Sequence, residues 1–260
     1  MFSIFPSRTV AVDLFGLQIH WYGIMYVLAF LFAIQLLPRL GKLRGLHLSY
    51  DQWLSLVSWL VVGVLVGGRL GFVFLYNPSY YLSHPLEIFF VWQGGMASHG
   101  GFVAVILVLF LWVRREKVNF WSLADVTTVP AGIGLALGRI GNVINQELYG
   151  TVTTLPWGIS IPGVVGLRHP TQVYECLWDL ATAVICFLLL KYSRTRYGRI
   201  GTIFLMLYAV GRFFLEYFRE QQYSLFVFGN IVLTHGQLYT IPLFLFGLCV
   251  WFFVPRTTAS

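Results

Sequence analysis

Arg69, Arg139 and Arg212 each stand inside a stretch that is otherwise apolar: Gly67-Gly68-Arg69-Leu70-Gly71, Gly138-Arg139-Ile140-Gly141, and the run from Tyr208 to Glu216. A guanidinium keeps its charge at any physiological pH, and its donors form a planar fork that matches carboxylate and phosphate oxygens. At the centre of an apolar membrane span one such group costs about 2.5 to 3.5 kcal/mol, so an anion should compensate it. Glu216 lies four residues after Arg212, on the same helical face, and can pair with it. Asp125, roughly four turns before Arg139, is too distant to do the same. Arg69 and Arg139 therefore have no counterion in their local sequence, and a phosphate is the natural candidate. The plainer alternative is that arginines near helix ends reach out to lipid headgroups and do nothing more.

Other polar residues cluster around these three. Tyr208 stands one turn before Arg212, and the stretch after Arg139 continues into Asn142, Asn145 and Glu147, whose hydrogen-bonding groups serve either a ligand or a helix end. His99, between Ser98 and Gly100-Gly101 and after Gly94-Gly95, places a titratable imidazole on permissive backbone where an apolar run begins. His20 and Tyr22, in Ile19-His20-Trp21-Tyr22-Gly23, read on their own as part of an aromatic belt ahead of a role in a site. Cys176, Cys186 and Cys249 fall in apolar runs without metal-ligand or redox spacing and read as packing residues.

The elements that position these groups are membrane spans. Charged residues make up only 10% of the chain, against about 25% in soluble domains, and the mean hydropathy is +0.75. A soluble globule is excluded, and the expected fold is an all-α integral membrane protein of one domain, residues 1–260. Apolar runs of bilayer length predict seven spans: Phe15 to Leu37, Leu54 to Tyr76, Gly100 to Val113, Ser122 to Ile144, Val173 to Tyr192, Ile200 to Phe218 and Gln237 to Val254. The third is short unless Met96 to His99 belongs to it. The fourth, with Asp125, Thr127, Thr128, Pro130 and Arg139, is the least hydrophobic and should be shielded from lipid by its neighbours. Gly63 with Gly67, and Gly134 with Gly138, have the spacing of close helix packing.

A net charge of +7 raises the question of nucleic acid, but the basic residues sit in short loops, not in a stripe, and no nucleic-acid partner is expected. Arg39, Lys42 and Arg44, then Arg114, Arg115 and Lys117, then Lys191, Arg194, Arg196 and Arg199, and finally Arg256 alternate with connections holding only Arg168 and Arg219, with Arg8 at the N-terminus. The positive-inside rule then places the N-terminus outside and the C-terminus inside, with residues 145–172 forming a small outer cap. Met1 to Asp13 shows no cleavable signal peptide, so the first span is expected to direct insertion. With that orientation Arg69, Arg139, Arg212, Tyr22, His99 and Glu175 all fall in the outer half, which predicts one shared polar cavity. An enzyme, a transporter and a scaffold remain open on these residues alone; a transporter would place its charges nearer the midplane, and a scaffold would leave its arginines at the headgroups.

Several segments, in order, resemble bacterial prolipoprotein diacylglyceryl transferases: His20-Trp21-Tyr22-Gly23, Gly67-Gly68-Arg69, Gly95-Met96 with His99-Gly100-Gly101, Leu137 through Asn142, Ile144-Asn145 with Glu147-Leu148, His169-Pro170-Thr171-Gln172 with Tyr174-Glu175, and Arg212 through Glu216 to Phe218-Arg219-Glu220. Gln146 departs from the family's frequent Gly, Tyr149 from Trp, Gln221-Gln222 from Pro and an acid, and His235 from Met. The resemblance implies an enzyme of the bacterial inner membrane, its site toward the extracytoplasmic leaflet, that moves the diacylglyceryl group of phosphatidylglycerol to the lipobox cysteine of a preprolipoprotein signal peptide. It implies no cofactor and no metal. Its partners are those two substrates and the lipid bilayer. It also implies His99, Arg139 and Arg212 as catalytic residues, with Arg139, Tyr22, Asn142, Glu147 and Arg69 binding the lipid and Glu216 and Tyr208 in support.

Overall fold

In a computed structural model, residues 10–15, 17–91, 94–193, 195–221, 226–228 and 231–254 are described. Arg8, Arg194 and Arg256, which contribute to the charge bias, and Gln222 lie outside them, as does most of the N-terminal segment read for a signal peptide. Among the described residues seven helices are long and apolar enough to span a bilayer. They are α1 (Trp21–Lys42), α2 (Tyr50–Leu75), α4 (Ser98–Glu116), α5 (Phe120–Asn145), α6 (Thr171–Tyr192), α7 (Arg199–Leu215, continued by a 3₁₀ turn to Phe218) and α8 (His235–Phe253). A short helix, α3 (Pro78–Ser83), and a 3₁₀ turn (Pro85–Phe89) follow α2.

The first span begins six residues later than the hydropathy suggests. Leu17–His20 (β2) pairs antiparallel with Val10–Leu14 (β1), so the apolar residues before Trp21 belong to a hairpin, and α1 starts only after His20. Hydropathy averaged over a window does not separate a short alternating strand from the helix it leads into. The third span does include Ser98 and His99, and reaches 19 residues. Local chemistry sets other ends. Ser49 and Gln52 form a reciprocal capping box at α2, Thr234 and Gln237 do so at α8, and Asn119 accepts from Ser122 N–H at α5.

The expected shielding of α5 is observed: 56% of its apolar window is buried, against 17% to 39% for the other spans. The apolar core occupies one half of the bundle. Leu37 and Leu40 late in α1, Trp53 and Leu56 early in α2, Trp112 late in α4, Leu123 and Val126 early in α5, Cys186 and Leu190 late in α6, and Ile200 and Phe204 early in α7 all meet there. Because lipid is as apolar as these side chains, what holds this half together is dense packing rather than exclusion of water. Large apolar residues such as Val62, Val103, Leu177 and Leu245 are correspondingly exposed on the outside, as is Cys249.

Small residues bring α2 and α4 close together. A Cβ on Gly67 would overlap Ala104 and the Gly100 carbonyl, and one on Gly63 would come within 2.6 Å of Val108. The Gly134 and Gly138 pair is less crowded: a Cβ on Gly134 would be in ordinary contact with Ala29 of α1, 3.5 Å away, and one on Gly138 would meet no described atom within 4 Å. Residues 146–170 carry the hairpin of β3 (Ile159–Ser160) and β4 (Leu167–Arg168) and form a small cap. Backbone bonds from Thr151 N–H to Phe218 and from Glu220 N–H to Tyr149, with the Arg168–Glu220 ion pair at 2.8 Å, tie it to the chain after α7. Another hairpin, β5 (Phe226–Phe228) with β6 (Ile231–Leu233), precedes α8.

Candidate active site

The half of the bundle opposite the apolar core is polar. Tyr22 opens α1, His99 opens α4, Glu175 lies in the second turn of α6, Arg139 lies six residues before the end of α5, and Arg212 is in the last turn of α7. All five stand at one end of the bundle, as expected of a shared cavity and unlike a midplane transport site.

Glu175 joins the arginines. Arg139 Nε lies 2.7 Å from one of its oxygens, and Arg212 Nη1 donates to the other at 2.7 Å. The same Nη1 lies 2.6 Å from Glu216, the expected partner one turn on. Glu216 is held from its far side by Thr234 Oγ1, which donates to it at 3.2 Å, and by the start of α8, where a Cβ on Gly236 would sit 2.7 Å from the carboxylate carbon. The partially positive N-terminus of that helix adds to the stabilisation of the carboxylate.

A third guanidinium joins the group. Arg219 Nη1 is 3.8 Å from Glu175 and 3.9 Å from Glu216, and its side chain makes no hydrogen bond to a described residue. Burial, reinforced by the positive charge of Arg212, pushes its pKa down to about 10, so it remains charged at neutral pH. Three arginines thus face two glutamates within 4 Å. Asp179 lines the same cleft with Trp178, Tyr208, Gly211 and Leu215, outside ion-pair distance of all three.

A second network adjoins Arg139. Its Nη1 donates to Asn142 Oδ1 at 3.4 Å, Asn142 Nδ2 donates to Glu147 Oε1 at 2.9 Å and also contacts the Tyr22 hydroxyl, and that hydroxyl donates to Glu147. Gly141 lets the Tyr22 ring lie flat on α5, since a Cβ there would be 3.0 Å from the ring. Gln172 and Thr171, opening α6, hold the backbone carbonyls of Glu147 and Leu148 at 2.5 and 2.8 Å. His99 packs edge-on against Tyr239, with ring centroids 5.5 Å apart, and lies within electrostatic reach of Arg212; neither buried ring nitrogen has a hydrogen-bond partner among the described residues. Its neighbour Ser98 accepts from the Tyr208 hydroxyl at 3.3 Å.

The family model for prolipoprotein diacylglyceryl transferase matches residues 9–253. The chain belongs to the prolipoprotein diacylglyceryl transferase family. It is similar to the phosphatidylglycerol–prolipoprotein diacylglyceryl transferase of Geobacter sulfurreducens, 43% identical with 92% of each chain covered. Proteins of the same name from Bordetella avium and Wolinella succinogenes are 40% and 38% identical, covering 96% of this chain and 96% of the relative in the first case, and 95% and 93% in the second.

For this transferase the structure brings together His99, Arg139, Arg212, Tyr22, Asn142, Glu147, Glu216 and Tyr208. Arg69 stands apart, with its donors on the carbonyls of Glu87, Ile88, Gly94 and Gly95. Glu175 and Arg219 are the residues that sequence reasoning named without assigning a role. The signal for Glu175 was its depth, shared with arginines short of counterions. Among the described residues no group of three His, Cys, Asp or Glu side chains is arranged to hold a metal ion.

Two departures from the family pattern gain a physical setting. Gln146 ends α5 in the left-handed region, φ +54, where Gly is the least strained residue. Tyr149 lies beneath the Arg168 guanidinium, 5.7 Å from its ring centre, within the cap.

Proposed function

We propose that the chain transfers the diacylglyceryl group of phosphatidylglycerol to the lipobox cysteine thiol of a preprolipoprotein, forming a thioether and releasing glycerol phosphate. The observation that carries this reading is a buried cluster in which three guanidiniums share two carboxylates within ion-pair distance, beside a histidine whose ring nitrogens have no hydrogen-bond partner among the described residues. A buried net positive charge is costly on its own and is relieved by an anion, and a phosphodiester fits a fork of arginine donors.

The chemistry follows from the placement. A free thiol, with a pKa near 8.5, is mostly protonated at neutral pH, so a proton acceptor helps the sulfur attack. His99 takes the thiol proton, and the sulfur bonds to the glycerol methylene as the carbon–oxygen bond to phosphate breaks. The electron pair leaves on the phosphate oxygen. Arg139 and Arg212, already held in place by Glu175 and Glu216, stabilise that departing charge without having to reorganise. Tyr22, Asn142 and Glu147 hydrogen-bond the glycerol hydroxyls of the headgroup, and Tyr208 supports Arg212 and Ser98. The cluster faces the outer leaflet of the bacterial inner membrane, where the charge bias of the loops supports an N-terminus outside, and both substrates arrive laterally from the bilayer.

Purified protein incubated with phosphatidylglycerol and a lipobox peptide should raise the peptide mass by one diacylglyceryl group and release glycerol phosphate. A peptide that keeps its mass, or one modified equally after Cys→Ser substitution, overturns the reading. Near-normal turnover by His99→Gln removes His99 from the proton-acceptor role while leaving the transfer itself intact.

A further inference from the structure

We infer that Arg69 is a positioning residue for His99: its guanidinium clamps the chain that leads into α4, and it takes no part in holding the lipid. This rests on His99 being the proton acceptor.

Arg69 is buried, two turns before the end of α2. Its Nε donates to the Ile88 carbonyl at 2.9 Å, Nη2 to Glu87 at 2.6 Å, and Nη1 to Gly94 and Gly95 at 2.5 and 3.3 Å. One face of the guanidinium lies over the Tyr81 ring, 5.2 Å from its centre. A guanidinium has five N–H donors, and four bonds to backbone with a covered face leave little for a phosphate. Two of the carbonyls it serves, those of Glu87 and Ile88, lie in the Pro85–Phe89 turn, and the other two, of Gly94 and Gly95, lie in the irregular chain that leads into α4, so the guanidinium bridges the two stretches.

From Gly94 to Ala97 the chain that leads to His99 is held by α2. Gly94 and Gly95 both adopt left-handed backbone, φ +84 and +79, and a Cβ on Gly95 would come within 2.9 Å of Arg69 Nη1 and 2.7 Å of the Phe72 ring. Met96 covers Gly68, where a Cβ would stand 2.7 Å from its methyl carbon. Ala97 N–H donates to the Gly68 carbonyl at 2.8 Å. His99 follows in the first turn of α4, where Gly100 lies against Gly67 and Gly71. The imidazole itself has ring contacts and no hydrogen bond, so its place beside the arginines is set by its backbone, and the backbone is set by the Gly68-Arg69 clamp. A displacement of about 1 Å in such a group costs about a hundredfold in rate.

The test is steady-state kinetics of Arg69→Gln and Arg69→Lys in lipid nanodiscs, with His99→Gln in parallel. Arg69→Gln should lower kcat about a hundredfold and leave the KM for phosphatidylglycerol within about threefold. Arg69→Lys should not rescue it, because an ammonium restores charge without the fork. Gly95→Ala, which crowds the same clamp from the loop side, should show the same pattern and serves if Arg69→Gln fails to fold. A raised KM with kcat preserved, or full rescue by Lys, makes Arg69 a lipid ligand and overturns the inference. Normal kcat in Arg69→Gln beside an inactive His99→Gln overturns the clamp alone. Normal turnover by His99→Gln overturns the proton-acceptor reading, and the clamp's purpose with it.

Discussion

Two clusters of buried charge lie toward opposite ends of α5, and they are built on different principles. Toward the apolar end, Asp125 is within 3.2 Å of Arg44 and accepts the N–H groups of Gly198 and Gly201 at 2.9 Å each, where α7 begins. Arg44 donates onward to the carbonyl and hydroxyl of Thr195 at 2.8 and 2.9 Å. One positive charge meets one negative, and their further hydrogen bonds go to backbone and to the Thr195 hydroxyl. At the other end Arg139, Arg212 and Arg219 meet Glu175 and Glu216, and Arg219 reaches them only at 3.8 and 3.9 Å, with no side-chain hydrogen bond to a described residue. The balanced pair clamps two loops and a helix start. In the proposed function, the unbalanced cluster is the one that receives an anion from the substrate.

That contrast is open to direct attack. Arg139→Ala or Arg212→Ala should each lower turnover per folded molecule about 10²- to 10³-fold, the loss typical of removing a donor to a developing negative charge. Asp125→Asn should do the reverse: breaking a buried pair costs about 3 kcal/mol of stability, read as a lowered unfolding temperature, while turnover per folded molecule is kept. Replacing both partners, Arg44→Met with Asp125→Asn, should recover much of that loss, since no unpaired charge remains. A balanced pair that proved essential to turnover, or an arginine cluster indifferent to it, would erase the distinction.

Smaller effects sharpen it. Glycerol phosphate at about a hundred times its Kd should stabilise the protein by about 2.7 kcal/mol. That shift should vanish in Arg139→Ala and persist in Asp125→Asn. Arg219→Gln should raise the KM for the lipid about tenfold, equivalent to about 1.4 kcal/mol, with a lesser effect on kcat; an unchanged KM would show that the excess charge plays no part in binding. Gln146→Gly, which relieves a left-handed residue at the end of α5, should change stability by less than about 1 kcal/mol in either direction.

Much of the site was legible because several of its members are local. The Arg212–Glu216 pair follows from a four-residue spacing on one helix, and Arg139 with Asn142 from a three-residue one. The common depth of Tyr22, His99 and Glu175 follows from span order. Arg69 has the same local signature, an arginine among glycines near a span end, yet its donors face loop carbonyls. Glu175 was readable as to depth and silent as to partner. Asp125, judged by its distance from Arg139, gave no hint of Arg44, which counted only as a basic loop residue. The Gly134 and Gly138 spacing suggests close packing, and the structure gives Gly134 an ordinary contact with Ala29 while leaving room for a Cβ at Gly138.

By itself the sequence determined the seven spans, because apolar length is a property of contiguous residues and lipid responds to it segment by segment. It also determined the polar character of one end of the bundle, because depth follows from counting along each span. Only the tertiary structure decided which carboxylate neutralises which arginine and which arginine serves backbone instead. Those pairings depend on how each helix is rotated and where it crosses its neighbours, and that is settled by packing between segments far apart in the chain, where local spacing carries no record of it.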